Sequence, residues 1–355
     1  MSARRDFLKT VAMSGALLSI PDFLASEICI PETVGLSPQK KQAGTKMVKT
    51  VLGEIKPEQL GNTSVHEHIC ALVPTPPECI SEEREFIIRE LKKAKDAGLD
   101  TIIEVTPGAD PRQLQFIAER SSVNIIACTG FYMNWTEEQK QFSIEQFLEH
   151  MVNEAENGIG GTAIRPGVIK IASKSPVLLP CEVRALTAAG LAQKITGLPL
   201  CVHSTTGTRA QQYLIEAAGA NMEKVYFSHL ESPTNRENRT VSMQVDYIVN
   251  AMERGSYVSY NGFGFPPYLD PAELAIFVKQ PIERGFVSRL LLSMDCYWSY
   301  RDGQRRFWYD ETFPNVRDRT YPYLMTHVLP WLKDIGVNDD EIDCMLRRNV
   351  YALFN

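Results

Sequence analysis

Two histidines separated by one residue, His66 and His68, close a short run of β-forming residues that starts at Asn62. Side chains alternate faces along an extended strand, so both imidazoles project to the same side. A strand end with this geometry offers two ligands to one metal ion. The chain contains only six histidines, and two others, His203 and His229, also close short strand-like runs. The pattern predicts a metal-dependent hydrolase.

The segments that carry these histidines alternate with helix-forming segments along the chain. Val48 to Ile55, bounded by Gly53 and Pro57, predicts an N-terminal strand or hairpin. Further runs are predicted as strands: Thr63–His66, Thr101–Val105, Asn124–Cys128, Gly167–Ile171, Pro199–His203, Lys224–Ser228, Ser256–Tyr260 and Arg289–Ser293. Predicted helices lie between and after them: Ser81–Ala97, Pro111–Arg120, Thr136–Asn157, Cys181–Thr196, Thr208–Ala218, Val241–Arg254, Pro271–Arg284 and Tyr321–Ile335.

Eight strand–helix units in a chain of 355 residues predict an α/β fold, a (β/α)8 TIM barrel with a short N-terminal extension. A doubly wound open sheet is the alternative, but no Gly-x-Gly-x-x-Gly motif follows the first strand. We expect the barrel to occupy residues 46–355, with no second globular domain.

The C-terminal ends of the strands share one face of such a barrel, and active sites form there. A lone strand-end histidine is usually a hydrogen-bonded structural residue, and a lone lysine usually extends to the surface. Here several metal-ligating or charged residues fall on five strand ends: His66 and His68, Lys170, His203, His229 and Asp295. Convergence of the whole set on one cavity is the expectation that carries the functional prediction.

This order of residues resembles the phosphotriesterase family of the amidohydrolase superfamily. The likeness covers nearly all of the chain after residue 46. Shorter motifs also fit the family, at residues 50–53, 129–132, 168–172, 228–229 and 293–295. The ending Arg348-Asn349-Val350 to Leu353-Phe354 is similar to the family's closing motif, with Val350 in place of a proline.

The resemblance implies a site with two divalent metal ions. His66, His68 and Asp295 would bind the more buried ion, and His203 and His229 the more exposed one. Lys170, carboxylated on its amine, would bridge both.

Imidazole and carboxylate ligands suit zinc, with manganese, cobalt or iron as alternatives. A hydroxide between the metals would attack a P=O or C=O group, and Asp295 would take the proton. Tyr132 matches a family tyrosine near the bridging water. It is a candidate for orienting substrate, or an aromatic residue that packs over the barrel mouth.

Three residues depart from the family pattern near the site. Asn261 stands at a usual aspartate, Gly262 at a usual histidine or arginine, and Glu231 follows His229 where aspartate is expected nearby. The family's proton relay is therefore not reproduced.

We accordingly expect a small-molecule carboxylic ester, such as a lactone, as substrate. A true phosphotriesterase is the alternative, and further alternatives are an amidohydrolase of C–N bonds and an exported metal-binding protein without turnover. The resemblance also implies a homodimer, because related barrels often form one.

Residues outside the strand ends give weaker signals. Arg301, Arg305 and Arg306, in an aromatic-rich insertion after Asp295, could hold an anionic substrate or belong to a solvated surface. His150 and His327 fall in predicted helices and are interpreted as structural. Cys70 and Cys79 are close enough to form a disulfide, and the sequence leaves this open.

The first 25 residues resemble a twin-arginine export signal. Arg4 and Arg5 precede Phe7-Leu8-Lys9 and an apolar run from Val11 to Ile20 that is too short to span a bilayer. Residues 26–45 read as a linker. We expect an exported, periplasmic protein without a membrane span. A net charge of −6 gives no support for a nucleic-acid partner.

Overall fold

The computed structural model describes residues 47–70, 77–174, 177–236, 238–265, 269–296, 299–301, 304–306 and 319–355. The predicted signal peptide (residues 1–25) and linker (residues 26–45) lie outside the described residues, so their predictions stay open.

Eight parallel strands form a closed (β/α)8 barrel, which confirms the predicted fold. In chain order they are Thr63–Glu67, Thr101–Glu104, a third strand in two pieces (Asn124–Ile126 and Cys128–Gly130), Val168–Ser173, Leu200–Ser204, Val225–Ser228, Tyr257–Tyr260 and Leu290–Leu292. Each strand pairs with its neighbours in sequence order. The predicted strands all exist, with ends shifted by one or two residues.

The third strand is divided at Ala127, and its two halves pair with different neighbouring strands. Asn124–Ile126 pairs with the second strand, and Cys128–Gly130 pairs with the fourth. Ala127 itself accepts a hydrogen bond from the amide of Gly167 at 2.9 Å. The third strand therefore links the second strand to the fourth within one continuous sheet.

The barrel closes between its eighth and first strands. The amide of Asp295 donates to the carbonyl of His66 at 3.0 Å. The hydroxyl of Ser293 accepts from the His66 amide at 2.8 Å and donates to the His66 carbonyl at 2.6 Å. Closure thus places the two ends of the predicted ligand set beside each other.

Helices surround the barrel and follow most of the strands. The longer ones are Ile80–Asp96, Pro111–Ser121, Ile144–Asn157, Pro180–Thr196, Thr208–Ala217, Val241–Glu253 and Pro271–Glu283. Shorter helical segments include Pro233–Arg236, Leu324–Val328, Leu329–Asp334, Asp339–Asp343, Cys344–Arg348 and Asn349–Phe354. The last three, at the C-terminus, were not predicted from the sequence.

The predicted helix over 136–157 begins later than expected. Ser143 forms a capping box with Gln146, so the α-helix begins at Ile144. Thr136 exchanges hydrogen bonds with Gln139 at the start of a separate 3-10 turn. The α-helix therefore starts at the cap seven residues downstream of Thr136.

Apolar side chains from the N-terminal hairpin and the C-terminal helix close the end of the barrel where the strands begin. Val48, in the antiparallel hairpin Val48–Thr50 and Gly53–Ile55, joins the barrel core together with Val350, Leu353 and Phe354. Each such fully buried side chain contributes about 1.5–3 kcal/mol. The opposite end of the barrel, where the strands finish, is left for the site.

The cysteines in the described part of the chain are thiols, Cys70 and Cys79 included, so the structure forms no disulfide between these two. Cys128, Cys201 and Cys296 are buried in or beside strands, where cysteine packs as a small hydrophobic residue. Among the described residues, no helix is long and apolar enough to cross a membrane.

The insertion after the eighth strand contains a short antiparallel hairpin. Its strands are Ser299–Arg301 and Gln304–Arg306. The side chains of Arg301, Arg305 and Arg306 lie outside the described part, so their predicted contact with an anionic substrate stays a prediction.

Replacing Gly130 with Ala should destabilise the barrel beside the site. Gly130 has φ of +124°, and a Cβ there would overlap the Lys170 carbonyl oxygen, which accepts the Phe131 amide at 2.9 Å. We expect a loss of more than about 4 kcal/mol in the free energy of unfolding. Gly160→Ala is the control, because its φ is also positive, +57°, but its Cβ meets no described atom within 4 Å.

That control should lose only about 1–2 kcal/mol. Urea unfolding of both variants measures the difference. Equal losses would mean that the approach of Gly130 to Lys170 costs nothing beyond the unfavourable backbone conformation.

Candidate metal centre

The predicted strand-end residues meet in one site at the C-terminal end of the barrel. Two overlapping groups could each hold a metal ion. One is His66, His203 and His229, and the other is His66, His68 and Asp295. Within each group, one ligand atom per residue lies within 4.8 Å of the others. The sequence prediction that these side chains converge is therefore matched by their positions.

Asp295 lies among three imidazoles. Its Oδ1 is 3.1 Å from His68 Nε2 and 3.5 Å from His66 Nε2, and its Oδ2 is 3.8 Å from His229 Nε2. The Asp295 side chain is 18% exposed, whereas the His66 side chain is fully buried. The carboxylate thus connects the buried part of the site with the solvent side.

Two of the ligand candidates have unusual backbone conformations. Asp295 has φ of +46° and His229 has φ of +71°, both in the left-handed region that non-glycine residues avoid. His229 immediately follows the sixth strand, and Asp295 lies three residues beyond the end of the eighth, so both residues lie at the C-terminal end of the barrel. Such backbone strain is common at functional sites.

Lys170 extends from the fourth strand into the centre of the site and is fully buried. Its Nζ lies 3.0 Å from His66 Nε2 and 3.6 Å from Cys201 Sγ. A buried amine beside imidazoles is not a surface lysine. Lys170 therefore points into the site, as the strand-end pattern predicts, and does not extend to the surface.

His66, His203 and His229 are held in their neutral form. Burial lowers the pKa of His66 and of His203 well below the ordinary value of 6.5, and lowers the pKa of His229 to about 4. Neighbouring basic groups, Lys170 among them, lower these pKa values further. Metal binding requires an unprotonated imidazole nitrogen, and burial provides it at neutral pH.

Asp295 is held in its charged form. Burial by itself raises the pKa of Asp295, but the neighbouring His229, with His68 and His66, outweighs this and lowers it well below its usual range. Neutral imidazoles with an ionised carboxylate are the donors that a divalent transition metal prefers. His229 Nε2 is buried and has no hydrogen-bond partner among the described residues, as expected of an atom reserved for a ligand. The residues fit a metal ion.

Three histidines make hydrogen bonds through the ring nitrogen that points away from the site. His66 Nδ1 lies 2.7 Å from the Ser228 hydroxyl, and His68 Nδ1 lies 2.7 Å from the Thr106 hydroxyl. A partner at Nδ1 fixes the ring and leaves Nε2 free for a metal. Sequence reasoning missed Thr106, whose only signal is its place just after the second strand.

Asn261 provides the corresponding contact for His229. The Asn261 amide is best satisfied with its nitrogen donating to the Ser259 hydroxyl at 2.7 Å and to the Tyr260 carbonyl at 2.9 Å. Its oxygen then faces His229 Nδ1, 3.4 Å away. An amide in this position orients the imidazole but does not exchange protons with it.

Glu231 is tied to the backbone of the next loop. Its Oε1 accepts from the amides of Asn261 at 2.6 Å and Gly262 at 2.9 Å. Its Oε2 is buried without a hydrogen bond in the part of the chain that the structure describes. Burial raises the pKa of Glu231 to about 7. The carboxylate thus holds the loop after the seventh strand, which is a different task from replacing the family's relay aspartate.

Tyr132 lies beside the site, half-buried, with its ring edge-on to His203 at a centroid distance of 5.4 Å. It packs against a ligand candidate, and its role in orienting substrate stays a prediction. His150 lies 3.6 Å from Glu154, and His327 stacks on Tyr323 at 4.3 Å. Neither belongs to the two ligand groups, in keeping with the structural interpretation.

Comparison with known proteins identifies the family to which this chain belongs. The sequence profile of the phosphotriesterase family matches residues 46–354. The chain belongs to the phosphotriesterase family. Members and relatives of this family include hydrolases, and they set the range of reactions to consider.

Three relatives cover most of the chain. It is 27% identical to the phosphotriesterase homology protein of Escherichia coli, over 83% of this chain and 98% of the relative. It is 25% identical to an aryldialkylphosphatase of Saccharolobus solfataricus (85% and 97%) and 27% identical to the human N-acetyltaurine hydrolase (85% and 96%). A phosphotriesterase-like lactonase of Deinococcus radiodurans has the same fold, with a TM-score of 0.76 and 24% identity over 87% of this chain and 100% of that one.

Replacing Glu231 with Gln should change how stability depends on pH in the metal-free protein. The folded-state pKa of about 7 lies above the ordinary value of 4.5, so between these pH values the folded state binds the proton more tightly than the unfolded state. The free energy of unfolding of the parent therefore falls as pH rises through this window, by up to about 3 kcal/mol. Gln keeps an acceptor for the two loop amides and does not titrate.

The variant should consequently gain stability relative to the parent as pH rises, measured by urea unfolding at about pH 5 and about pH 8. Glu253→Gln, which removes an exposed carboxylate, is the matched control for charge. A Glu231→Gln difference that is the same at both pH values would contradict the raised pKa.

Proposed function

We propose that this protein is a metal-dependent hydrolase of esters, with lactones or other carboxylic esters as its preferred substrates. The observation that carries the proposal is the pair of overlapping ligand groups that share His66 and extend to Asp295. Membership of the phosphotriesterase family supports it.

Two divalent ions would divide the ligands between them. His66, His68 and Asp295 would hold one ion, and His203 and His229 the other. Zinc suits these donors, because it is bound in proteins by imidazole and carboxylate.

Lys170 would join the two halves of the site after reaction with CO2. The neutral amine nitrogen would form a bond to the CO2 carbon while one C–O π bond opens to give the carboxylate. The amine proton would be released to solvent, which leaves an anionic carbamate. A free ammonium beside two divalent cations would be repelled, whereas a carbamate offers two oxygen ligands. The buried position of Lys170 Nζ, 3.0 Å from His66 Nε2, supports this assignment.

The reaction requires a nucleophilic water and a polarised ester carbonyl. Metal ions, when bound, lower the pKa of a coordinated water to roughly 7 and polarise the carbonyl oxygen. Asp295 is ionised and partly exposed, so its carboxylate can accept the proton that the attacking water loses. Tyr132, beside His203, is positioned to contact the substrate.

The residues around the metal ligands favour a carboxylic ester over a phosphotriester. Gly262 has no side chain to carry a proton, Asn261 presents an amide to His229, and Glu231 is engaged by two backbone amides. A proton relay leading away from Asp295 is therefore missing among these residues. A true phosphotriesterase is the second candidate, and the Saccharolobus relative named aryldialkylphosphatase favours it.

Cleavage of a C–N bond is a third candidate, which the human relative named N-acetyltaurine hydrolase favours. A metal-binding protein without turnover is less well supported, because Asp295 is ionised and reachable from the solvent side.

Assays of the zinc-loaded protein on a panel of substrates test the proposal directly. The panel contains lactones, aryl carboxylic esters, dialkyl aryl phosphates and N-acyl amino sulfonates. We expect the highest kcat/KM on a lactone or other carboxylic ester, near two divalent ions per chain by elemental analysis, and loss of activity on chelation. Turnover of the phosphates alone, or of the amides alone, would overturn the preferred substrate class.

Replacing Asp295 with Asn should lower kcat on the best substrate by about 10²–10⁴-fold, because the amide cannot accept the proton. The assay is run at saturating zinc to separate proton transfer from metal loss. Asp246→Asn, at an exposed ion pair with Arg284 on an outer helix, is the matched control and should keep parental activity. A kcat within twofold of the parent would remove Asp295 from its role.

We also propose that residues 1–25 direct export to the periplasm, that residues 26–45 are a linker, and that the barrel forms a homodimer. The Arg4-Arg5 pair before an apolar run motivates the first of these. Cell fractionation of the parent and of a variant with both arginines changed to Lys tests export. Sedimentation of the purified protein tests the dimer.

A further inference from the structure

Asp295 is held in its turn by two buried, charged side chains that are not ligand candidates, Glu67 and Arg319. We propose that Glu67, the residue between the two ligand histidines of the first strand, is a positioning residue that fixes Asp295 for metal binding. The inference rests on the proposed function, because it assumes that Asp295 is a metal ligand and proton acceptor.

Glu67 binds the backbone on both sides of Asp295. Side chains alternate along the first strand, so the carboxylate of Glu67 projects away from the face that carries His66 and His68. Its Oε1 accepts from the amide of Met294 at 2.8 Å, and its Oε2 accepts from the amide of Cys296 at 2.8 Å. One carboxylate therefore holds the residue before Asp295 and the residue after it.

Glu67 is itself fixed in place. It is 1% exposed, and its Oε1 also accepts from the hydroxyl of Ser64 at 2.5 Å and lies 3.1 Å from the Ser293 hydroxyl oxygen. A buried carboxylate with this many donors has little freedom to move. The orientation of the Asp295 turn is consequently tied to the first strand.

Arg319 holds the same turn through its carbonyl groups. Its guanidinium donates to the carbonyls of Met294 and Asp295, the latter at 3.4 Å. It also donates to the carbonyls of Asn261 at 2.7 Å and Phe263 at 2.6 Å, in the loop after the seventh strand. The amides of the turn are thus bound from one side and its carbonyls from the other.

The turn needs such support because its conformation is unfavourable. Asp295 has φ of +46°, in the left-handed region that is sterically unfavourable for residues with a side chain, even though aspartate tolerates it better than most. If the turn relaxed, the carboxylate would leave its position 3.1 Å from His68 and 3.5 Å from His66. The first strand would thereby supply two ligands and orient a third.

A second carboxylate with the same backbone contacts provides a matched control. Glu182 is fully buried and accepts from the amides of Lys174 and Leu179, each at 2.9 Å. Neither Lys174 nor Leu179 is a ligand candidate or lies next to one in sequence. Replacement of Glu182 should therefore reproduce the structural cost of losing a buried carboxylate, without the effect on metal binding.

The experiment compares Glu67→Gln and Glu182→Gln in the full chain. In each variant, the new amide NH2 group faces a backbone N–H and one hydrogen bond is lost. Zinc affinity is measured by competition with a chromophoric chelator, and the visible absorption of the cobalt-substituted protein reports the geometry of the site. Thermal unfolding of the metal-free proteins reports the structural cost.

We expect both variants to unfold at lower temperature, but only Glu67→Gln to bind zinc about 10–100-fold more weakly and to shift the cobalt bands. Zinc affinity and cobalt bands equal to those of the parent would overturn the proposal. A parent protein that binds no divalent ion would instead overturn the proposed function itself. If Glu67→Gln does not fold, Ser64→Ala, which removes one donor to Glu67, should weaken zinc binding several-fold, and a parental affinity would overturn the proposal.

Discussion

The site depends on the hydrogen bonds that close the barrel between its first and eighth strands. The amide of Asp295 donates to the carbonyl of His66, and Ser293 bonds both backbone groups of His66. These contacts join residues more than two hundred positions apart in sequence and set Asp295 against the two histidines of the first strand. Without closure, Asp295 and the two histidines of the first strand would lie at opposite edges of an open sheet.

Burial then sets the charge of each group in the site. The pKa values of His66, His203 and His229 are lowered by burial, so these imidazoles are neutral. The pKa of Asp295 is lowered by the neighbouring His229, His68 and His66, so its carboxylate keeps its charge. The interior of a parallel barrel is apolar and excludes water below the strand ends. The fold therefore supplies both the positions of the donors and the protonation states that a divalent cation needs.

Much of this arrangement could be predicted from the sequence, because it follows from local patterns. The β-forming runs and the residues that end them predicted the barrel and the meeting of His66, His68, Lys170, His203, His229 and Asp295, although their roles as ligands stay predictions. The largest error from a local pattern is the helix start predicted at Thr136, because the α-helix begins at Ile144, after the Ser143 cap.

The supporting contacts could not be predicted, because they join distant segments. Nothing near Glu67 in sequence indicates that its carboxylate binds the amides of Met294 and Cys296, and nothing near Arg319 indicates the carbonyls that it bonds. The three C-terminal helical segments were missed for a related reason. Their apolar residues, such as Val350 and Leu353, are explained by the barrel floor that they cover.

The C-terminal residues Val350, Leu353 and Phe354, which cover the end of the barrel where the strands begin, also determine how the C-terminus can be altered. Phe354 is packed into the core, one residue before the last position, at the end of the barrel opposite the site. A reporter protein joined after Asn355 would be attached at the end of the barrel opposite the site and would not obstruct the entry of substrate. Deleting the last helical turn, which contains Leu353 and Phe354, would instead expose the barrel core to water at the end opposite the site.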